Sequence, residues 1–82
     1  MDDALRARVE GLQAAILARF PETRFKLQSS DHEDIWHLSV YTPDGKIQIP
    51  REVTNGLNQI WQDHKISIIT VVYPMFLYEE ES

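Results

Sequence analysis

The first twenty residues have the spacing of an amphipathic helix. Apolar side chains recur at steps of three and four, at Leu5, Val9, Leu12, Ile16 and Phe20. Acids at the start of this segment and Arg19 near its end complement the helix dipole. Pro21 ends the helix because proline constrains the residue before it and has no amide hydrogen to donate. The pattern predicts a helix from Asp2 or Asp3 to Phe20.

Two segments of strict alternation follow and predict a β-hairpin. Phe25 and Leu27 alternate with polar residues over 24–28, and a second alternating segment covers residues 35–41. In that second strand one face carries Trp36, Leu38 and Val40, and the other carries Ile35, His37, Ser39 and Tyr41. The polar segment SSDHED, residues 29–34, joins the two strands as a turn.

A further turn is predicted at TPDGK, residues 42–46. Pro43 presets the first turn residue, and Gly45 accepts a positive φ. The segment KIQI, residues 46–49, is therefore interpreted as a short third strand that folds back on the second.

Residues 50–63 predict a second helix. Pro50 suits the first helical position, and apolar residues follow at helical spacing, at Val53, Leu57, Ile60 and Trp61. Gly56 interrupts this pattern, since glycine inside a helix costs about 1 kcal/mol relative to alanine. Either the helix starts later, at Thr54 or Asn55, or Gly56 permits close packing.

The run ISIITVVY, residues 66–73, is apolar and rich in β-branched residues. It predicts a strand that is covered on both faces or internal to the sheet, and Pro74 ends it. Because this strand is joined to strand 35–41 through a helix, the two should run parallel.

Together these elements predict a single α+β domain over residues 1–78, followed by a frayed acidic end at 79–82. The expected fold is a small two-layer sandwich of order α-β-β-(short β)-α-β, with a mixed three- to four-stranded sheet and two helices on one face. The helix residues expected to fill the core are Leu12, Ile16, Phe20, Val53, Leu57 and Trp61.

Composition and charge narrow the classes of function. The chain has no cysteine, which excludes disulfides and thiolate sites and suits a reducing cytoplasm. It has neither a basic leader nor a long apolar run, so no membrane association is expected. Residues 29–82 carry three bases against nine acids. This acidic surface disfavours nucleic-acid binding and favours a basic protein partner.

The sheet face opposite the predicted core is the first candidate interaction surface. Two helices cannot easily cover both faces, and an exposed apolar patch marks a contact site more often than chance. The segment PMFLY, residues 74–78, either folds back over its own sheet or joins a dimer contact. The predicted interface residues are Ile35, His37, Tyr41, Ile69, Val71, Tyr73, Met75, Phe76 and Tyr78.

The stretch DHEDIWH, residues 31–37, has the highest density of potential metal ligands. If strands 35–41 and 66–73 are parallel, His32 and His64 lie at the same end of the molecule, with His37 further along the sheet. Two imidazoles and a carboxylate can hold zinc or iron. The preferred interpretation is a hydrated turn, with His64 favoured by the dipole at a helix C-terminus.

Enzymatic signatures are missing from the sequence. It has no glycine-rich phosphate loop, no HExxH and no GxSxG. Ser29 and Ser30 beside His32 could form a nucleophile with its base, but hydroxyls that close a turn are the preferred interpretation. A domain of this size also leaves little room for a deep substrate pocket. No enzymatic activity and no cofactor are therefore expected.

Several strings in residues 20–70 resemble the BolA family, small proteins with a type II KH-like topology. RFKLQSSD is similar to that family's first strand and loop, WHLSVYTPDGK to its second strand and turn, and HKISI to its histidine-led last strand. The resemblance implies that His32 and His64 help to hold a [2Fe-2S] cluster shared with a monothiol glutaredoxin. The chain has IPREV, residues 49–53, where the family has Arg-His-Arg, and it has no GxxG loop for RNA.

Three functions follow, in order of preference. The first is a small cytoplasmic protein-interaction module, homodimeric or bound to a basic protein, of a regulatory or antitoxin-like kind. The second is a BolA-like adaptor that binds a metal or a [2Fe-2S] cluster with a glutaredoxin partner. The third is a KH-like nucleic-acid binder, which the acidic charge balance disfavours.

Overall fold

Three helices and three strands form residues 2–81, which the computed structural model describes. In chain order they are α1 (Asp3–Arg19), β1 (Arg24–Ser29), β2 (Ile35–Thr42), α2 (Arg51–His64), β3 (Ser67–Pro74) and α3 (Met75–Glu81). The predicted α+β class is confirmed, and the predicted helices and long strands all form within two residues of their expected bounds. Helix α3 was not predicted, and it includes residues 79–81, where the sequence suggested a frayed end.

Strand β2 lies at the centre of the sheet, whose order is β1-β2-β3. It pairs antiparallel with β1 and parallel with β3, as the crossover through α2 requires. Both edges of β2 are therefore occupied, and residues 46–49 have no free edge of β2 on which to form a ladder. The predicted short strand is wrong: these residues are irregular, although Ile47 and Ile49 pack against the core.

Strand β3 is an edge strand with one exposed face, so the prediction of a strand covered on both faces or internal to the sheet is wrong in both its forms. The apolar residues of β3 are divided between two faces, one of which packs in the core and one of which is exposed. Ile68 is buried in the core, and Val72 packs against it. On the opposite face Ile69 and Val71 remain exposed.

Helix α1 is capped by its first residue outside the helix. The Asp2 carboxylate accepts a hydrogen bond from the Leu5 amide at 2.7 Å, which satisfies one of the free N–H groups of the first turn. At the other end the Phe20 amide donates to the Ile16 carbonyl at 2.8 Å, just before Pro21. The predicted stop at Pro21 is confirmed.

Helix α2 runs through Gly56, so the interruption in its pattern reflects close packing and not a late start. A Cβ at this position would overlap the Leu12 side chain of α1. The helix ends at Lys65, which adopts a left-handed conformation with φ 57° and donates its amide to the Trp61 carbonyl at 2.9 Å. This turn aims the chain into β3.

The core lies between the two long helices and one face of the sheet. Its buried members are Leu5, Val9, Leu38, Val40, Ile60 and Ile68. The prediction that Trp61 fills the core is wrong, because its neighbour Ile60 is fully buried and Trp61 is 50% exposed. One residue corresponds to about 100° around a helix, which is enough to turn the indole out of the contact. Of the other helix residues predicted to fill the core, Ile16 and Val53 are buried, and Leu12, Phe20 and Leu57 are half-buried.

Candidate interaction surface

The strand register defines which side chains share the outer face, meaning the sheet face opposite the core. Cross-strand partners alternate strictly between the two faces. The outer face carries Arg24, Lys26 and Gln28 from β1, Ile35, His37, Ser39 and Tyr41 from β2, and Ser67, Ile69, Val71 and Tyr73 from β3. The predicted grouping of β2 and β3 residues on this face is confirmed.

One end of the outer face is covered by the protein's own α3. The Tyr41 and Tyr73 rings stack with centroids 5.6 Å apart, and the Tyr78 ring meets Tyr41 edge-on at 5.2 Å. The Lys26 ammonium lies 5.0 Å from the centroid of Tyr78, at cation–π distance. Tyr41 is consequently only 3% exposed. The segment 74–78 thus folds back over its own sheet, and Tyr41 contributes almost no surface to a partner.

The opposite end of the outer face is open. Ile69 and Val71 are 42% and 38% exposed, and we call these two residues the β3 patch. Ile35 and His37 on the neighbouring strand are half-buried. At the start of α3, Phe76 is 58% exposed whereas Met75 is half-buried.

The free edge of β3 presents unpaired backbone groups beside this patch. The Ser67 amide donates to the Asp34 carbonyl at 2.7 Å. The backbone amide and carbonyl groups of Ser67 and of every second residue after it therefore point towards β2. The amide and carbonyl groups of Ile68, Thr70 and Val72 must then point away from β2, towards the free edge. Within the described residues, β3 has no strand partner other than β2.

The strand lacks the usual protection of an edge. Natural edge strands are commonly blocked by charged residues, by proline or by bulges, because an open edge recruits further strands. The sequence of β3 is SIITVVYP, which contains no charge, and its one proline is the last residue. The edge-facing backbone groups of Ile68, Thr70 and Val72 are thus open to pairing.

The turn before β2 is closed by hydrogen bonds of its own. Ser30 Oγ accepts from the His32 amide and donates to the His32 carbonyl, both at 3.1 Å, and the Ile35 amide donates to that same carbonyl at 3.2 Å. Residues 31–34 are exposed. The Ser30 hydroxyl therefore closes the turn, which is the role preferred from the sequence.

The parallel pairing of β2 and β3 places the segments that precede them at the same end of the sheet. His32 lies in one of these segments and His64 ends α2 just before the other; His32 is exposed and His64 half-buried. No group of three or more His, Cys, Asp or Glu side chains suited to a metal is found among residues 2–81. The neighbouring Asp63 is held elsewhere, because it accepts from Arg8 at 2.8 Å and from Gln59 at 3.1 Å. These two hydrogen bonds lower the pKa of Asp63.

Two open grooves lie at opposite ends of the sheet. One, of about 690 Å³, separates the end of α1 from the loop after β2, and Thr23 lines it. The other, of about 520 Å³, lies beside Trp61 and the start of β3. The sequence did not indicate either groove, since both depend on how loops and a helix face are oriented in the folded chain.

No helix within residues 2–81 combines the length and the apolar character needed to cross a membrane. On the outer face, the β3 patch and the free edge of β3 stay uncovered among the described residues. No protein-family model matches the chain, and comparisons with curated proteins and with solved structures yield no match either.

Proposed function

We propose that this chain is a small, non-enzymatic protein-interaction module that works as a homodimer through the β3 side of its sheet. The observation that carries the proposal is the β3 patch, Ile69 and Val71, standing exposed on an uncharged edge strand. Apolar side chains and free backbone groups occur there together, and each favours association. A cytoplasmic location is part of the proposal and rests on the absence of cysteine.

A second copy fits this surface better than a basic partner. The charged strand residues on the outer face are Arg24 and Lys26 of β1, so the strands contribute no acid to this face. The two possibilities respond oppositely to salt. Two chains of formal net charge −5 repel each other, and added salt weakens that repulsion, whereas it would weaken attraction to a basic protein.

The test is the association state of the purified full-length chain. Sedimentation equilibrium over a range of concentrations should show a monomer–dimer equilibrium that strengthens between low and moderate salt. The double variant Ile69→Thr/Val71→Thr keeps β-branched side chains in the strand and removes most of the patch's apolar character. It should raise the dimer Kd by roughly tenfold or more, equivalent to about 1.4 kcal/mol.

Leu17 supplies a matched control, since it is 37% exposed but lies on α1. Leu17→Gln should leave the dimer Kd unchanged. Circular dichroism of each variant separates loss of association from loss of folding. A wild-type chain that stays monomeric at every concentration and salt would refute the proposed function.

A further inference from the structure

We infer that the two copies join by antiparallel pairing of β3 with β3 of the partner, centred on Thr70, so that the two sheets become one continuous six-stranded sheet. This inference rests on the proposed function, because it specifies how the homodimer forms. It goes further by fixing the register, and hence which residues meet.

The backbone selects this register. A two-fold axis at Thr70 places Ser67 opposite the partner's Tyr73 and Ile68 opposite the partner's Val72. The backbone groups of Ile68, Thr70 and Val72 point towards the free edge, and in this register these three residues lie opposite only residues of the same kind in the partner. Each such opposed pair exchanges two hydrogen bonds. The three pairs would therefore join the two strands by roughly six backbone hydrogen bonds.

Shifting the axis by one residue fits less well. Centred on Val71, the pairing would set Ile68 against the partner's Pro74, which has no amide hydrogen to donate. Centred on Ile69, it would set Tyr73 against the partner's Lys65, whose left-handed φ of 57° takes it out of the strand. The Thr70 axis alone matches residues 67–73 with themselves.

The side chains agree with the backbone. On the outer face, Ile69 lies opposite the partner's Val71, and Val71 opposite the partner's Ile69, so the two exposed patches stand side by side and shield each other's flanks. Aliphatic pairs of this kind stabilise neighbouring strands. No charged residue of either strand enters the contact, since β3 carries none. An uncharged strand is complementary to its own copy without any like-charge repulsion at the seam.

Thr70 is the residue that meets itself in this register. Its Oγ1 is buried against its own chain and has no hydrogen-bond partner there. A rotation about χ1 would be needed to turn this hydroxyl towards the partner's Thr70, where threonine pairs across strands can join their hydroxyls.

Engineered cysteines test the register against a background with no native cysteine. Directly opposed residues have Cα atoms about 4.5–5.5 Å apart, within disulfide range, whereas diagonal ones are about 7–8 Å apart. A mixture of Ile69→Cys and Val71→Cys chains, tagged to differ in mass, should therefore oxidise to the mixed dimer roughly tenfold faster than either chain cross-links with itself. Thr70→Cys should cross-link with itself.

Hydrogen exchange on the wild-type chain gives a readout that needs no substitution. On raising the concentration from monomer to dimer, the amides of Ile68, Thr70 and Val72 should exchange roughly tenfold more slowly, while those of Ile69 and Val71, already bonded within the sheet, change less. The register therefore predicts two results: preferential cross-linking of the mixed pair, and protection of every second amide along β3. A dimer that cross-links in another pattern, or protects other amides, overturns the register and leaves the proposed function standing. A strict monomer overturns both.

Discussion

Gly56 of α2 faces Leu12 of α1, and a terminal methyl group of Leu12 occupies the place that a Cβ on residue 56 would need. The two helices pack on one another across the sheet, and a Cβ at position 56 would overlap a terminal methyl group of Leu12. Glycine is unfavourable inside a helix, so its presence here is explained by this close approach.

Gly56→Ala and Gly11→Ala are expected to differ in sign. Gly11 lies on α1 with nothing within 4 Å of its Cβ position, so alanine there should stabilise the protein by roughly 0.5–1 kcal/mol through helix propensity. Alanine at position 56 gains the same propensity but must displace Leu12, and overpacking typically costs about 1–3 kcal/mol. Chemical denaturation should show Gly56→Ala at least about 1 kcal/mol less favourable than Gly11→Ala.

Truncating the neighbour isolates the cause. In a Leu12→Ala background the obstructing methyl groups are gone, and Gly56→Ala should become as favourable as Gly11→Ala. A non-additive cycle is the signature of residues in contact. Equal effects of Gly56→Ala in both backgrounds would show that the overlap with Leu12 does not govern this position.

The packing role of Gly56 illustrates how far a sequence pattern reaches. Periodicity predicted helix α1, helix α2, the hairpin and the parallel strand, because each has an apolar face that repeats along several turns or pleats. It could not decide whether Gly56 begins a helix or lies inside one, since that depends on Leu12, which is 44 residues away in sequence. Local patterns fix elements, while the distances between elements are set by side chains that meet only in the folded chain.

Trp61 and Ile60 test the corrected core. Ile60 is fully buried, so Ile60→Ala should destabilise the protein by about 2–5 kcal/mol. Trp61 is half exposed and has the Lys65 ammonium 5.7 Å from its ring centroid, an exposed cation–π contact of about 0.5–1 kcal/mol. Trp61→Ala should therefore cost much less than Ile60→Ala in urea unfolding followed by circular dichroism. If Trp61→Ala lowered the unfolding free energy more than Ile60→Ala, Trp61 would have to be counted as a core residue.

The buried threonines form a second matched pair. Thr42 Oγ1 accepts from the Gly45 amide at 2.8 Å, whereas Thr23 Oγ1 has no hydrogen-bond partner. Both side chains are at most 2% exposed. Thr42→Val removes the shorter of two hydrogen bonds made by the Gly45 amide, which keeps its bond to the Thr42 carbonyl at 3.3 Å, and should cost about 0.5–1.5 kcal/mol.

Thr23→Val should behave differently, because it removes a hydroxyl that makes no bond. The expected outcome is a neutral or slightly stabilising change, measured by the same thermal or chemical unfolding as for Thr42→Val. Comparable destabilisation in the two variants would indicate that the Thr23 hydroxyl is bonded in solution. Both variants replace a buried threonine by valine and so lose the same hydroxyl group. The difference between their unfolding free energies therefore reports the hydrogen bonds that this hydroxyl makes.

The candidate surface was only partly predictable from sequence. Alternation correctly placed Ile69 and Val71 on the face away from the core, since a pleated strand allows no other arrangement. It could not show that α3 covers Tyr41 or that β3 is an edge strand. Seven apolar or hydroxyl residues in a row are typical of a buried strand, and an uncharged edge has the same appearance. Which strand lies at an edge follows from the strand order, which depends on contacts between distant segments.

Asp63 links α2 to α1 through Arg8, and this link should respond to acid. The pKa of Asp63 lies below its ordinary value of 3.8, first because Arg8 donates a hydrogen bond to the carboxylate and second because Gln59 does. A carboxyl group with a lowered pKa in the folded state stabilises the fold above its unfolded pKa. That contribution is lost as the pH falls through the lower, folded value.

The variant Asp63→Asn should therefore differ most from the wild type near neutral pH, and the difference in unfolding free energy should shrink below about pH 4. Asp31→Asn, in the exposed turn before β2, serves as the control for removal of one acid from the chain. High salt should reduce the Asp63 effect at neutral pH, since both side chains of the ion pair are partly exposed, at 35% and 46%. A difference between the wild type and Asp63→Asn that stays constant from pH 7 to pH 3 would mean that the charge on this carboxylate does not contribute, and that Arg8 contacts α2 only by packing.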